Sequence, residues 1–144
     1  MPAHIPRPEY VDQPAPAPYD GPEVKDADTI ARMRVAGRIA AEALAQVGRH
    51  VAPGVTTDEL DRVGHDFLVE RSAYPSTLGY KGFPKSLCTS VNDAVLHGLP
   101  HDYVLRDGDL LSLDFAVSVD GWVSDSAVSV VVGTPREQDL RLID

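Results

Sequence analysis

Asp114 and Asp125 stand where a short stretch of chain can bring two carboxylates together. Between them lies Asp120-Gly121, and Asp-Gly flanked by alternating apolar residues is a strong signal for a two-residue hairpin turn. The pattern predicts strands over about 110–119 and 122–132, with Asp114 opposite Ala127 and Ala116 opposite Asp125. Successive side chains alternate faces. Leu111, Leu113, Phe115, Val117 and Val119, with Trp122, Val128, Val130 and Val132, make an apolar core face. Leu110, Ser112, Asp114, Ala116 and Ser118, with Val123, Asp125, Ala127, Ser129 and Val131, make the other. The two aspartates are then diagonal cross-strand neighbours, about 7–8 Å apart. Carboxylates converging from that distance repel one another unless cations intervene, and they can hold a cation pair about 3.5–4 Å apart. Their Ser and Ala neighbours leave room above them. The plainer alternative is two ordinary carboxylates on a half-solvated sheet. The residues alone leave both readings open.

His97 lies in Val95-Leu96-His97-Gly98-Leu99-Pro100, an apolar run entering a turn. It reads either as a satisfied structural histidine or as a proton or hydrogen-bond donor beside the carboxylates. His65 falls off the apolar stripe of its helix and is expected to be exposed. His4, His50 and His101 sit in a tail, a helix end and a turn, without metal-ligand spacing. Cys88 reads most simply as a small buried apolar residue. Nucleophilic-triad, phosphate-loop and zinc-finger patterns are absent.

These residues need a scaffold. Residues 26–51 read as a helix with Ile30, Met33, Gly37, Ala40, Leu44 and Val47 on one stripe, ended by Ala52-Pro53-Gly54. Gly37 on that stripe predicts close packing against another backbone. A second helix is predicted at about 57–72, opened by a Thr56/Glu59 capping box and striped by Leu60, Val63, Gly64, Phe67 and Leu68. Residues 74–84 read as a loop with three aromatic side chains, Tyr74, Tyr80 and Phe83. Short strands are expected near 86–91 and 94–97, a turn at Arg106-Asp107-Gly108-Asp109, and a turn opening another helix over 133–141. Seven of the twelve prolines lie in residues 1–22, which marks 1–24 as an extended arm without a core of its own, either a mobile tail or a partner-docking segment.

The whole chain has 144 residues, 43% hydrophobic and 24% charged, which fits one globular domain. A net charge of −9 argues against binding nucleic acid through its phosphates and against docking on anionic membrane. A single cysteine rules out an internal disulfide and fits a reduced, cytoplasmic setting. No apolar run approaches a membrane span, and the first residues lack the apolar core of a signal peptide.

Several segments resemble type I methionine aminopeptidases, which have the pita-bread metallopeptidase fold. They are Met33–Ala41, Pro53–Asp61, Leu78–Asn92 with its Tyr-Lys-Gly-Phe-Pro-Lys-Ser run, His97-Gly98-Leu99-Pro100, and Asp107-Gly108-Asp109 with Asp114 and Asp125. The proline-rich arm is similar to the extended actinobacterial form. The resemblance implies an α+β fold: residues 25–144 would be the first half of the catalytic domain, an antiparallel sheet covered by two helices. It implies removal of the initiator methionine by hydrolysis of the first peptide bond, with two divalent cations drawn from Co, Mn, Fe and Zn. Asp114 and Asp125 would be the first two metal ligands, Asp125 bridging both ions. His97 would contact substrate without binding metal. Thr77, Tyr80, Phe83 and Cys88 would line the methionine pocket. The implied partners are the N-termini of nascent polypeptides and, through the arm, the ribosome, around a monomeric enzyme.

Ser124 and Ser126 replace the Gly and Thr usual around the second aspartate, Ser112 replaces an Asn-like residue, and Leu96 replaces the usual Cys. Changes around metal ligands shift affinity about 10–100-fold, so a diverged paralogue is one expectation. The family's second half supplies a further His, two Glu ligands and another substrate-contacting His, and nothing after Val132 matches them. The expectation is therefore a fragment or truncated product, inactive alone. The competing reading is a pita-bread half without catalysis that docks a partner.

Overall fold

The computed structural model describes residues 1–143. Helix α1 spans Ala27–Gly48 and α2 spans Thr57–Glu70. Strands follow at β1 Tyr74–Pro75, β2 Cys88–Val91, β3 Leu110–Val119 and β4 Trp122–Val131, and α3 spans Glu137–Ile143. The sheet is antiparallel with β3 at its centre: β1 and β2 pair along one side of β3, β4 along the other. Helices α1 and α2 pack together, and α1 lies against β3 and β4. Among the described residues no helix is long and apolar enough to cross a membrane.

The hairpin has the register expected of its turn. Val119 pairs with Trp122, Asp114 with Ala127 and Ala116 with Asp125. Asp120 (φ 49°) and Gly121 (φ 82°) both take the left-handed conformation that a tight primed turn demands. Leu111, Leu113, Phe115 and Val117 are fully buried. The other strand of the core face differs from expectation: Val128 is 41% exposed, while Trp122 and Val130 are only half-buried. Gly37 of α1 lies against Ser124 at the start of β4, so the helix crosses that strand early and leaves its middle uncovered.

Asp26 caps α1, accepting from the Thr29 N–H at 2.8 Å. Thr56 and Glu59 form the reciprocal capping box of α2, with the Thr56 N–H donating to Glu59 at 2.8 Å and the Glu59 N–H to Thr56 at 3.1 Å. The buried stripe of α1 is Ala36, Ala40, Ala43, Leu44 and Val47. Ile30 and Met33, expected on it, are exposed, because nothing among the described residues covers the first turns. The segment 94–97 is not a strand: Val95 is 90% exposed and His97 has φ 53°. Conversely Tyr74–Pro75, expected as loop, pairs with Ser118 and Val117.

The tight approach expected at Gly37 occurs instead at Gly64. A Cβ at Gly37 would meet only the Ser124 hydroxyl at 3.6 Å, whereas one at Gly64 would lie 2.9 Å from the Phe115 ring and 3.2 Å from Val47. Gly64 thus lets α2 close onto β3 and α1. Gly64→Ala is expected to destabilise the fold by about 1 kcal/mol net, overpacking of roughly 1–3 kcal/mol offset by better helix propensity. Gly37→Ala should stabilise it by about 0.5–1 kcal/mol. Chemical denaturation of the two variants measures both, and equal stabilisation would mean that the Phe115 ring yields freely.

Candidate active site

Strand β3 carries Asp114 between neighbours on both sides. Cys88 pairs with it on β2 and Ala127 on β4, while Ala116 and Asp125 form the adjoining pair. Period-two alternation then places Cys88, Asp114 and Asp125 on one face, opposite the apolar core. Asp114 is half-buried and Asp125 exposed. Among the described residues, neither carboxylate has an ion-pair partner. Burial, and after it the nearby Asp125 carboxylate, raise the Asp114 carboxyl above the usual range, with His97 opposing them. Burial, then Asp114 and Asp125, push the Cys88 thiol up to about 11. Cys88 is therefore a neutral side chain near pH 7, not a nucleophilic thiolate.

His97 reaches this face from the loop between β2 and β3. Gly98 anchors it: the Thr89 N–H donates to the Gly98 carbonyl at 2.8 Å, and the Gly98 N–H donates to the Ser90 hydroxyl at 3.1 Å. A Cβ at Gly98 would lie 2.1 Å from the Thr89 carbonyl oxygen, so only glycine permits this approach. The ring of His97 remains exposed beside a backbone that is pinned.

A polar clamp, which periodicity alone did not reveal, fixes the entry to β2. Buried Asp61 accepts from the Ser86 and Leu87 N–H groups at 2.7 and 3.1 Å. His65, expected to face solvent, is half-buried and lies 2.7 Å from the Ser86 hydroxyl. Thr77 donates to the Ser86 carbonyl. Asp61 and His65 are four apart on α2 and so share a face, the one available signal. Burial raises the Asp61 carboxyl despite these hydrogen bonds.

The arm, read as extended and without a core of its own, is tied to the body along its first half. Ile5 is 2% exposed, and Tyr10 donates to the Ser76 carbonyl at 2.6 Å. The Tyr10 ring meets Tyr80 edge-on at 5.4 Å, and Val11 packs over Gly79. The arm's first half thus docks on the aromatic loop, while Pro14–Asp20 stay exposed. Its few large apolar residues, Ile5, Tyr10 and Val11, were the overlooked signal.

Thr77, Tyr80, Phe83, Cys88, His97, Asp114 and Asp125 all line one open cleft of about 1000 Å³, joined by Tyr10, Ser76, Lys81, Leu99 and Val123. Its walls are aromatic and apolar, and its floor carries the two carboxylates. Hard divalent cations take carboxylate oxygens, and a crowded pair without a protein cation fits such an ion. Among the described residues, however, no group of three His, Cys, Asp or Glu side chains is gathered to hold a metal. Asp114 and Asp125 fit as part of a ligand set, not as the whole. Of the departures from the family pattern, Ser112 lies 2.7 Å from Ser129 across the hairpin, and Leu96 is exposed.

A fold of two helices on an antiparallel sheet, with paired aspartates on a hairpin, defines a class: residues 31–144 match metallopeptidase family M24, and the chain belongs to that family. Its architecture is α+β, the first half of a pita-bread fold. The chain is 49% identical over its whole length to methionine aminopeptidase 2 of Mycobacterium tuberculosis, covering 50% of that protein. It is 43% identical to the chloroplastic/mitochondrial methionine aminopeptidase 1D of Arabidopsis thaliana, covering all of this chain and 41% of that one. The crystal structure of methionine aminopeptidase from Rickettsia prowazekii superposes with a TM-score of 0.83 at 41% identity, over 84% of this chain and 49% of that one. The chain thus spans about half the length of the relatives it matches.

Proposed function

We propose that this chain is the part of a methionine aminopeptidase that holds the first two metal ligands and one wall of the methionine pocket. The reaction is hydrolysis of the first peptide bond of a polypeptide, releasing its N-terminal methionine. The observation that carries this reading is the convergence, in one cleft, of the Asp114/Asp125 pair, His97 and the aromatic loop around Tyr80 and Phe83. Relatives that bear the name methionine aminopeptidase support it.

Asp114 and Asp125 would both hold divalent cations. A carboxylate pair alone does not discriminate among Co, Mn, Fe and Zn. When bound, such ions supply Lewis acidity and an activated water near neutral pH. His97 donates a hydrogen bond to the scissile amide or to the charge that develops on it. Tyr80, Phe83, Thr77 and neutral Cys88 enclose the thioether side chain, for which aromatic edges are a good match. The setting proposed is cytoplasmic, with new polypeptide chains as substrates. A route to the ribosome would lie through Pro14–Asp20, the part of the arm left exposed.

The test is release of methionine from a Met-Ala-Ser peptide by a full-length polypeptide carrying this chain, supplied with Mn or Co. Tyr80→Ala and Phe83→Ala should each lower kcat/KM by about 10-fold, from the lost apolar contact of roughly 1.5 kcal/mol. An unchanged kcat/KM for both would return them to plain packing, and no methionine release by the unsubstituted full-length polypeptide would overturn the function.

A further inference from the structure

Lys81 stands out on the rim of the cleft. It sits in a loop where Gly79, Lys81 and Gly82 all have positive φ, at 83°, 48° and 81°. Glycine adopts that conformation freely, but a lysine there is strained by its Cβ. Such an outlier persists where the side chain is needed in the direction that the turn gives it. Lys81 is exposed and has no ion-pair partner among the described residues, although the chain carries a net charge of −9. Its ammonium lies 5.5 Å from the centre of the Tyr80 ring, on the wall assigned to the methionine pocket. Lys85, four residues on, differs: its ammonium is paired with Asp58.

Position matters as much as charge. Lys81, Gly82, Phe83 and Pro84 line both the cleft and a second cavity of about 750 Å³ beneath the arm. Lys81 therefore stands where the two hollows meet. Among the residues lining the cleft it is the one lysine or arginine. A peptide with its first side chain against Tyr80 and Phe83 advances about 3.3–3.6 Å per residue. Its third and fourth residues would leave past this rim, within reach of a flexible lysine.

We infer that Lys81 is a charge-selecting residue at the mouth of the cleft, favouring peptides with a carboxylate side chain at the third or fourth position over peptides with a cationic one. The inference rests on the aminopeptidase reading and adds to it a preference downstream of the scissile bond. An exposed charge pair changes binding by about 1.4-fold to 5-fold, and attraction and repulsion multiply in the comparison, so the expected ratio of kcat/KM for acidic over basic peptides is roughly twofold to thirtyfold at low salt.

The experiment uses the full-length polypeptide with Met-Ala-Ser-Glu and Met-Ala-Ser-Lys, both amidated at the C-terminus, and with neutral Met-Ala-Ser-Gln amide. Lys81→Asn removes the charge with a residue that tolerates positive φ. It should bring the acidic-to-basic ratio to about one. Lys81→Arg should keep the preference, as should Lys85→Gln, which removes an equal charge elsewhere. Raising the salt to 0.5 M should shrink the wild-type ratio. A ratio near one in the wild-type chain, or one that survives Lys81→Asn, overturns the inference. Failure to cleave the neutral peptide would instead overturn the aminopeptidase reading, so the two failures are distinguishable.

Discussion

Replacing His97 by alanine in a full-length polypeptide carrying this chain is expected to lower kcat by roughly 10²–10⁴-fold while metal content stays unchanged. Three features of the site support the split. First, His97 comes from a loop rather than from the hairpin that bears Asp114 and Asp125, and among the described residues it does not complete a three-ligand set with them. Second, its backbone is fixed through Gly98 to Thr89 and Ser90 while its ring stays exposed at the cleft. That arrangement suits a group that must meet a substrate in one orientation. Third, it lines the same cleft as Tyr80 and Phe83, beside the place proposed for the methionine side chain. Metal analysis of purified variant and parent, beside steady-state kinetics, measures both halves. A parallel loss of metal and turnover would make His97 a ligand and reverse the assignment. His97→Gln, which keeps a hydrogen-bond donor, should recover part of the rate.

How much of this site could be read before the fold was known depends on where its information resides. The hairpin was legible because its turn chemistry and its two-residue period are local: Asp120-Gly121 fixes the register, and the register fixes which face carries Asp114 and Asp125. The capping box of α2 was legible for the same reason. His97 was harder. Val95 and Leu96 have strand-like composition, but the segment is held by tertiary hydrogen bonds from Gly98, and no local pattern announces those. Gly37 and Gly64 are indistinguishable by periodicity, since both lie on helical stripes. Which one meets Phe115 depends on how α2 crosses the sheet. Ile30, Met33 and Val128 follow apolar patterns and yet remain exposed, because burial needs a covering partner as well as a pattern. The docking of Tyr10 spans 66 residues of sequence and was beyond any local reading. Family resemblance assigned roles to seven residues that the fold then brings to one cleft, whereas the Ser86 clamp and Lys81 emerged only from the structure.

Residues 1–144 by themselves are expected to release no methionine. The described residues gather two carboxylates and no third protein ligand around the cleft floor. Two carboxylates on one hairpin would leave most of the coordination of a divalent ion to water, and an ion held so loosely would not keep an attacking water within the fraction of an ångström that catalysis demands. The sheet points the same way. Among the described residues β4 pairs only with β3, so its ten residues present an open edge. Val123 and Val128 lie 49% and 41% exposed along it, one on each face. Long apolar edges of this kind template pairing between chains. The purified 144-residue chain should therefore self-associate in sedimentation experiments as its concentration rises. With Co or Mn added, it should give no free methionine from Met-Ala-Ser above the background of the metal alone. Turnover comparable with that of a full-length family member would contradict the ligand count. A rate rising with the square of chain concentration would then trace the missing ligands to a second copy, and a linear rate would place them within the single chain.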